Sequence, residues 1–454
     1  MSYIPNSDAD RAEMLKVIGV GSVDDLFHDV PAAYRYPRLN LPAPVSEMEI
    51  LQELQALSEE NVDLPHAACF LGAGAYYHFI PSVVDFILSR SEFYTAYTPY
   101  QPEISQGTLQ AAFEYQSMIC ELTGMDVSNA SHYDGATSTA EAVIMALNVH
   151  RRRRRKVVMS PAVHPQYREV VRTYTQGMGL TIVGDEKLSN GLEELLALCD
   201  TDTACVIVQS PDFFGRVLPP KRLRELADGV HARGALLVVV ANPIALGLLQ
   251  PPGACGADVV VGEGQALGNT LSFGGPYLGF FTCREEHVRR SSGRIVGQTV
   301  DAEGRRGYVL TLSAREQHIR RARATSNICT NQALNALAAA VYMSALGRQG
   351  LRQVAELCYH KAHYAAAQIA ELPGYSIWSE GFFNEFVVRC PQPIDVTNRF
   401  LLEEWGIIGG YDLGRDYPEL KGHMLLCVTE VNTRDDIDDL VEALREVAEQ
   451  EGER

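Results

Sequence analysis

Apolar, β-rich runs alternate with helical stretches between residues 150 and 285, and this pattern constrains the fold more than any other feature of the sequence. Continuous apolar strands that are separated by helices are typical of a mostly parallel sheet with helices on both faces. One such helix, over 220–231, would place Leu223, Leu226 and Val230 on a single face. The sequence therefore predicts an α/β domain, with strands in the runs 157–159, 180–183, 205–208, 236–240, 259–261 and 277–281.

The length of the chain predicts more than one domain. A single hydrophobic core stops growing at roughly 250 to 300 residues, and this chain has 454. A helix is predicted over 107–124, where Gly124 is a favourable C-terminal cap. The part after the sheet mixes strands and helices, as in an α+β domain. We predict an N-terminal helical extension and interface segment over 1–95, a large α/β domain over 96–335 and a small C-terminal α+β domain over 336–454.

The charge balance makes two classes of partner unexpected. The chain carries 57 acidic and 39 basic side chains, a net charge of −18, whereas nucleic acids and anionic membranes attract basic surfaces. No apolar run approaches the roughly 20 residues that span a bilayer, and the first residues lack the pattern of a secretory signal. We therefore expect a cytoplasmic protein that binds neither nucleic acid nor membrane.

The cysteines and histidines do not form a metal-binding pattern. None of the ten cysteines belongs to a C-x-x-C motif, which predicts reduced thiols. Of the twelve histidines, only His360 and His363 stand three residues apart on a predicted helix, and no third ligand is nearby. We therefore expect no metal site.

The stretch 133–141, Tyr-Asp-Gly-Ala-Thr-Ser-Thr-Ala-Glu, is the most informative short motif. Ser138 and Glu141 have the spacing of a capping box at the start of a helix, directly after the small residues 135–137. Free backbone N–H groups and the helix dipole at such a point can hold an anion. The same spacing also fits a plain N-cap, and the motif alone leaves both interpretations open.

The order of these parts resembles the aspartate-aminotransferase-like fold of pyridoxal-phosphate (PLP) enzymes, fold type I. The resemblance implies a phosphate-binding turn at Gly135, Ala136 and Thr137, an acidic partner for the pyridine nitrogen after a strand, and a Schiff-base lysine after a later strand. Here Asn242 stands at the acidic position, and the stretch 262–279, where the lysine is expected, contains none. We therefore expect a vestigial phosphate cup, with all six lysines elsewhere, at 16, 156, 187, 221, 361 and 421.

Seven blocks resemble subunit 1 (alpha) of the two-subunit P-protein of the glycine cleavage system, glycine dehydrogenase (decarboxylating). This family implies an α2β2 assembly in which the beta subunit binds PLP covalently and alpha completes the enzyme. The assembly decarboxylates glycine and passes the aminomethyl group to the lipoyl arm of the H-protein. The alternatives are a non-catalytic structural or regulatory pseudoenzyme subunit and an independent PLP-dependent aminotransferase. The blocks are 70–81, 97–108, 133–137, 256–258, 262–279, 324–331 and 409–415.

The resemblance also implies roles for two loops. In this fold a loop after the cofactor lysine reaches the neighbouring subunit's phosphate site, which makes Thr325 and Asn327 candidates for hydrogen bonds in trans to the PLP phosphate of the beta subunit. The alternative is a loop that only packs the dimer. Tyr97, Tyr100 and Gln106 are candidate interface residues at the entrance for glycine or the lipoyl arm, and a structural role is the alternative.

Two further groups of residues are candidates for a site. Arg320, Arg321 and Arg323 precede the second loop and are candidates for binding an anion, although arginines on a helix surface are the favoured interpretation. His164 follows a strand on the side of the sheet where α/β proteins bind ligands. Because no lysine stands at the expected Schiff-base position, we expect a cofactor-stacking role for His164 to be vestigial.

Overall fold

The structure is a computed structural model that describes residues 6–64 and 66–452, and the chain divides into two compact units between residues 63 and 64. The first unit contains helices α1 (Asp8–Ile18) and α2 (Glu47–Glu59). Each helix begins after a serine, Ser7 or Ser46, that forms a capping box with an acidic residue three positions later. The predicted three-part division of the chain at residues 95 and 335, including the N-terminal helical extension over 1–95, stays a prediction.

The second unit contains strands that form one large sheet and three smaller ones. The strands are β1 (Ala68–Cys69), β2 (Val127–Ser128), β3 (Lys156–Met159), β4 (Thr181–Val183), β5 (Thr203–Ser210), β6 (Leu236–Ala241), β7 (Val259–Glu263), β8 (Gly279–Cys283), β9 (Ile295–Val300), β10 (Arg306–Thr311), β11 (Ser376–Ile377), β12 (Glu385–Arg389), β13 (Ile407–Ile408), β14 (Tyr411–Asp412) and β15 (His423–Cys427).

The large sheet has the order β2-β8-β7-β6-β5-β3-β4. From β7 to β4 neighbouring strands pair in parallel, whereas β8 and β2 run antiparallel to their neighbours. Alternate residues of one strand enter two different apolar clusters, because successive side chains point to opposite faces. Both faces are therefore covered, as predicted: Val206, Val208 and Val239 belong to one cluster, and Ile207, Val238 and Val240 to the other.

Helices of the second unit surround the sheets. Gly124 ends the predicted helix over 107–124 in the left-handed conformation, with φ 68°, and the helix over 220–231 is also confirmed. The helices are α3 (Ser82–Leu88), α4 (Ser91–Tyr94), α5 (Gln106–Thr123), α6 (Gly135–Val149), α7 (Pro165–Thr175), α8 (Leu192–Leu198), α9 (Pro220–His231), α10 (Gln317–Arg320), α11 (Ala333–Ala370, interrupted at Gly347), α12 (Ile394–Trp405) and α13 (Arg434–Gly452).

The C-terminal part has the predicted α+β character. Its antiparallel sheet, in the order β11-β12-β15-β14, shares an apolar core with α12, α13 and the second half of α11. Over the described ranges 6–64 and 66–452, no helix is both long and apolar enough to cross a lipid bilayer.

Candidate functional site

A cavity of about 420 Å³ lies where the parallel strands of the large sheet end. A smaller pocket next to it reaches Asn242 and Glu385. In α/β proteins this edge of the sheet is the usual ligand-binding side. The lining comes from the turn into α6, the start of α7, the end of β7 and two loops, and includes Gly74, Tyr133, Asp134, Ala136, His164, Tyr167, Glu263 and Tyr277.

The helix at this cavity, α6, begins earlier than the sequence predicted. Asp134 is its N-cap: Oδ1 accepts the N–H of Thr137 at 2.7 Å, and Thr137 Oγ1 accepts the N–H of Asp134 at 3.1 Å. The predicted capping box of Ser138 and Glu141 is therefore wrong. Ser138 donates to the Asp134 carbonyl oxygen, and Glu141 accepts from Ser326 at 2.7 Å, because Asp134 already caps the helix four residues before Ser138.

We expect Asp134→Ala to lower the free energy of unfolding by about 1 kcal/mol, the usual effect of removing an N-cap acceptor. Ser138→Ala is the matched control, and its effect should stay within about 0.5 kcal/mol because only a bond to the helix's own backbone is lost. Urea unfolding of both variants measures the difference. An equal or larger loss for Ser138→Ala would argue against this assignment of the N-cap.

The chain's own acidic side chains accept two of the N–H groups at the start of α6, those of Gly135 and Thr137. The N–H of Gly135 donates to Glu263 Oε2 at 3.0 Å, and Glu263 Oε1 accepts from the N–H groups of Gln265 and Leu278, both at 2.9 Å. A Cβ at position 135 would lie 2.8 Å from the backbone nitrogen of Glu263, so only glycine permits this approach. An external anion at Gly135 would have to displace Glu263.

Two buried glutamates of the site have raised pKa values. Burial raises the pKa of Glu263 to about 8, although its three N–H donors act in the opposite direction. Burial likewise raises the pKa of Glu385 to about 7. Glu385 accepts from the N–H of Ala73 at 2.7 Å and from the hydroxyl of Tyr76 at 2.8 Å. The site therefore holds acids that protonate near neutral pH.

His164 lines the cavity, but the fold uses both of its ring nitrogens. Nε2 donates to the carbonyl oxygen of Ala73 at 2.8 Å, and Nδ1 accepts from the N–H of Gln166 at 3.2 Å. One ring face stacks on Tyr167, with centroids 4.8 Å apart. Burial lowers the pKa of His164 to about 4, so the imidazole is neutral at physiological pH.

Asn242, at the position expected for the acidic partner of the cofactor, and two of the lysines make contacts within the chain. Asn242 Oδ1 accepts from the N–H of Ile244 at 2.9 Å and stabilises the turn after β6. Among the described residues that line the two pockets, none is a lysine. Lys156 pairs with Asp200 at 2.9 Å, and Lys361 donates to backbone carbonyl oxygens near the end of β15.

The two loops predicted to lie at a subunit interface differ in how firmly their side chains are held. Gln106 is bonded at both ends, to Pro102 and to the backbone of Tyr308, so it fixes the loop before α5. The side chains of Tyr97 and Tyr100 are exposed, and Arg294 approaches the face of the Tyr100 ring.

The second loop leaves two side chains available. Ser326 is anchored to Glu141, whereas Thr325 and Asn327 make no side-chain hydrogen bond to any part of the chain that the structure describes. Thr325 lines a separate cavity with Arg320 and Arg323. The structure thus groups Thr325 with these arginines and not with the turn at Gly135, Ala136 and Thr137.

One buried cluster combines metal-binding side-chain types. The ligand atoms of His78, Cys358 and Glu430 lie within 4.8 Å of one another. His78 Nδ1 and Glu430 Oε2 already share a hydrogen bond of 2.7 Å. His363 bonds instead to the carbonyl oxygen of Phe382. The expectation that the chain holds no metal stays a prediction.

Comparison with known proteins gives one consistent result. The family model described as "Glycine cleavage system P-protein" matches residues 1–444. The chain is 56% identical to the probable glycine dehydrogenase (decarboxylating) subunit 1 of Desulforamulus reducens, over 96% of this chain and 98% of that protein. It is also 56% identical to the protein of the same name in Thermomicrobium roseum, over 98% and 99%.

The comparison with solved structures identifies the same family as the comparison with these relatives. The crystal structure of glycine decarboxylase (P-protein) of the glycine cleavage system, in inhibitor-bound form, matches with a TM-score of 0.89 and 44% identity, over 98% of this chain and 100% of that chain. A sphingosine-1-phosphate lyase of Burkholderia pseudomallei matches with a TM-score of 0.66 at 14% identity, over 92% and 94%, and so shares the fold alone. The predicted aspartate-aminotransferase-like, fold type I class is confirmed.

Proposed function

The chain belongs to the P-protein family of the glycine cleavage system, and we propose that it is the alpha subunit of a two-subunit glycine dehydrogenase (decarboxylating). Near full-length similarity to proteins called subunit 1, at 56% identity over 450 residues, carries the proposal. With a beta subunit, in an α2β2 assembly in the cytoplasm, the chain decarboxylates glycine. The assembly then transfers the aminomethyl group to the lipoyl arm of the H-protein.

In this proposal the beta subunit, and not this chain, binds PLP covalently. The donor set of the turn at Gly135, Ala136 and Thr137 does not fit a cofactor phosphate. Glu263 already accepts the N–H of Gly135 and Asp134 that of Thr137, so a phosphate would have to displace both side chains. The side chain of Asn242 is engaged in a turn. These contacts support a vestigial cup in a chain without a Schiff-base lysine.

Thr325 and Asn327 then act across the subunit interface on the PLP phosphate of the beta subunit. Their side chains have no hydrogen-bond partner in the described chain, while Ser326 between them is anchored at 2.7 Å to the buried Glu141. An anchored loop with two free polar side chains is suited to a pre-organised contact with a partner. In the same proposal, Tyr97 and Tyr100 lie at the entrance for glycine or the lipoyl arm, and Gln106 positions their loop.

The double variant Thr325→Ala/Asn327→Ala should weaken PLP binding by the assembled pair about tenfold, because two hydrogen bonds to a charged group are lost. Absorbance titration of the cofactor-free complex with PLP measures this. Thr330→Ala, on the same loop, is the matched control and should leave PLP affinity unchanged. If the double variant binds PLP as tightly as the control, the loop only packs the dimer.

Carbon exchange between glycine and bicarbonate tests the function as a whole. We expect exchange when this chain, a beta subunit, PLP and lipoylated H-protein are combined, and none when this chain is left out. Borohydride reduction followed by peptide mapping should place PLP on the beta subunit. PLP fixed to one of the six lysines of this chain would instead support an independent PLP-dependent aminotransferase. Exchange that does not require this chain would leave a structural or regulatory role.

A further inference from the structure

Six arginines line one cavity of the second unit, of about 740 Å³. Glu286 is the one carboxylate among its described lining residues. Within the parts of the chain that the structure describes, none of the six arginines has an ion-pair partner within 4.0 Å. In a chain with a net charge of −18 this cavity is an exception. The arginines are Arg152, Arg289, Arg290, Arg315, Arg320 and Arg323.

Arg315 carries guanidinium donors that no group of the described chain accepts. Its side chain is buried, with 9% of the residue exposed, and Nη1 donates to the carbonyl oxygen of Ser291 at 2.9 Å. Nε and Nη2 are buried without a hydrogen-bond partner, and so is Nδ2 of Asn148, which lines the same cavity. Burial lowers the pKa of Arg315, and the neighbouring Glu316 acts in the opposite direction without forming an ion pair with it. A buried cation with open donors is unfavourable unless an anion compensates it.

We propose that this arginine cavity binds a phosphate group. Guanidinium groups match phosphate oxygens in paired hydrogen bonds, and they stay charged at any physiological pH. The volume lies in the usual range of small-molecule sites, about 300 to 1,000 Å³. The phosphate has two possible sources: a free phosphorylated small molecule, or the PLP of the beta subunit, which Thr325 at the cavity wall would also reach. The second source rests on the proposed function.

Phosphate binding by the complex of this chain with its beta subunit tests the inference. Inorganic phosphate is titrated calorimetrically into the PLP-loaded complex, and PLP into the cofactor-free complex, both in acetate buffer. The test variant is Arg289→Met/Arg323→Met, because both side chains are exposed and their loss should not prevent folding. Arg348→Met/Arg399→Met removes two exposed arginines elsewhere and is the matched control.

A free phosphate source predicts that inorganic phosphate binds the loaded complex, and binds the test variant about tenfold more weakly than the control. A cofactor source predicts no uptake of added phosphate by the loaded complex, but about tenfold weaker PLP binding by the test variant. Equal affinities of the test and control variants for both ligands would overturn the inference. Carbon exchange is assayed on the same samples, so failure of the proposed function is recognised separately.

Discussion

Replacing Glu263 with alanine is expected to lower the free energy of unfolding by about 3 kcal/mol. Three backbone N–H groups, of Gly135, Gln265 and Leu278, lose their acceptor, and each buried donor without a partner costs about 1 to 3 kcal/mol. Water from the adjoining cavity can reach some of them, which keeps the total near the lower end of the sum. Urea unfolding of wild type and variant gives the value.

Glu263→Gln is the conservative comparison, since its carbonyl oxygen can still accept from Gln265 and Leu278. We expect a loss of about 1 kcal/mol, from the single contact with Gly135. Added formate should restore part of the stability of Glu263→Ala and leave wild type unchanged, because formate can occupy the vacated acceptor site. An alanine variant as stable as wild type, or an equal formate effect on both proteins, would contradict the role assigned to Glu263.

If the phosphate cup is vestigial, as we propose, this contact explains how the fold persists there without a bound phosphate. The start of a buried helix needs an acceptor for its N–H groups, and Glu263 at the end of β7 supplies one from within the chain. A turn filled in this way does not depend on a cofactor for its stability, which agrees with the proposal that the beta subunit binds PLP.

The sequence predicted the sheet well because one local property determines it. Each buried parallel strand is a continuous apolar run, and the runs around Val206, Val238 and Val260 were recognisable without tertiary information. The cap at Gly124 is equally local, since only a residue free of Cβ strain readily adopts φ 68°.

The errors and omissions arise from tertiary contacts. Asp134 and Ser138, four residues apart, could each be the N-cap of α6. The spacing from Ser138 to Glu141 favoured Ser138, but the N-cap is Asp134. Glu263 and Glu385 were not recognised as site residues, although an acidic residue at the edge of a buried apolar strand was an available signal. The six cavity arginines come from separate segments, so the sequence favoured no common site for them and named only Arg320 and Arg323 among them as candidates for binding a small anion.

A large pH effect on stability is expected at Glu385. Its pKa is about 7 in the folded chain against 4.5 for the unperturbed group, so the folded state binds more protons between these values. The stabilisation that Glu385 contributes when it is protonated is complete at a pH below its pKa in the unfolded state. This stabilisation is lost as the pH rises through its pKa in the folded state. The difference between the two pKa values corresponds to about 3 kcal/mol in the free energy of unfolding. Wild type should therefore become less stable relative to Glu385→Gln as the pH rises.

Glu385→Gln mimics the protonated acid and cannot ionise, while its amide can bond to Ala73 and Tyr76 in the same positions. At about pH 5 we expect similar stabilities, and at about pH 8 we expect the variant to be more stable by about 3 kcal/mol. Asp212 lies close enough to raise the pKa of Glu385 further, so Asp212→Asn should shift the same transition to lower pH. The exposed Glu403→Gln is the control and should follow wild type. Parallel pH profiles of wild type and Glu385→Gln would show that Glu385 is ionised throughout, and the fold would then have to stabilise a buried charge by the two hydrogen bonds alone.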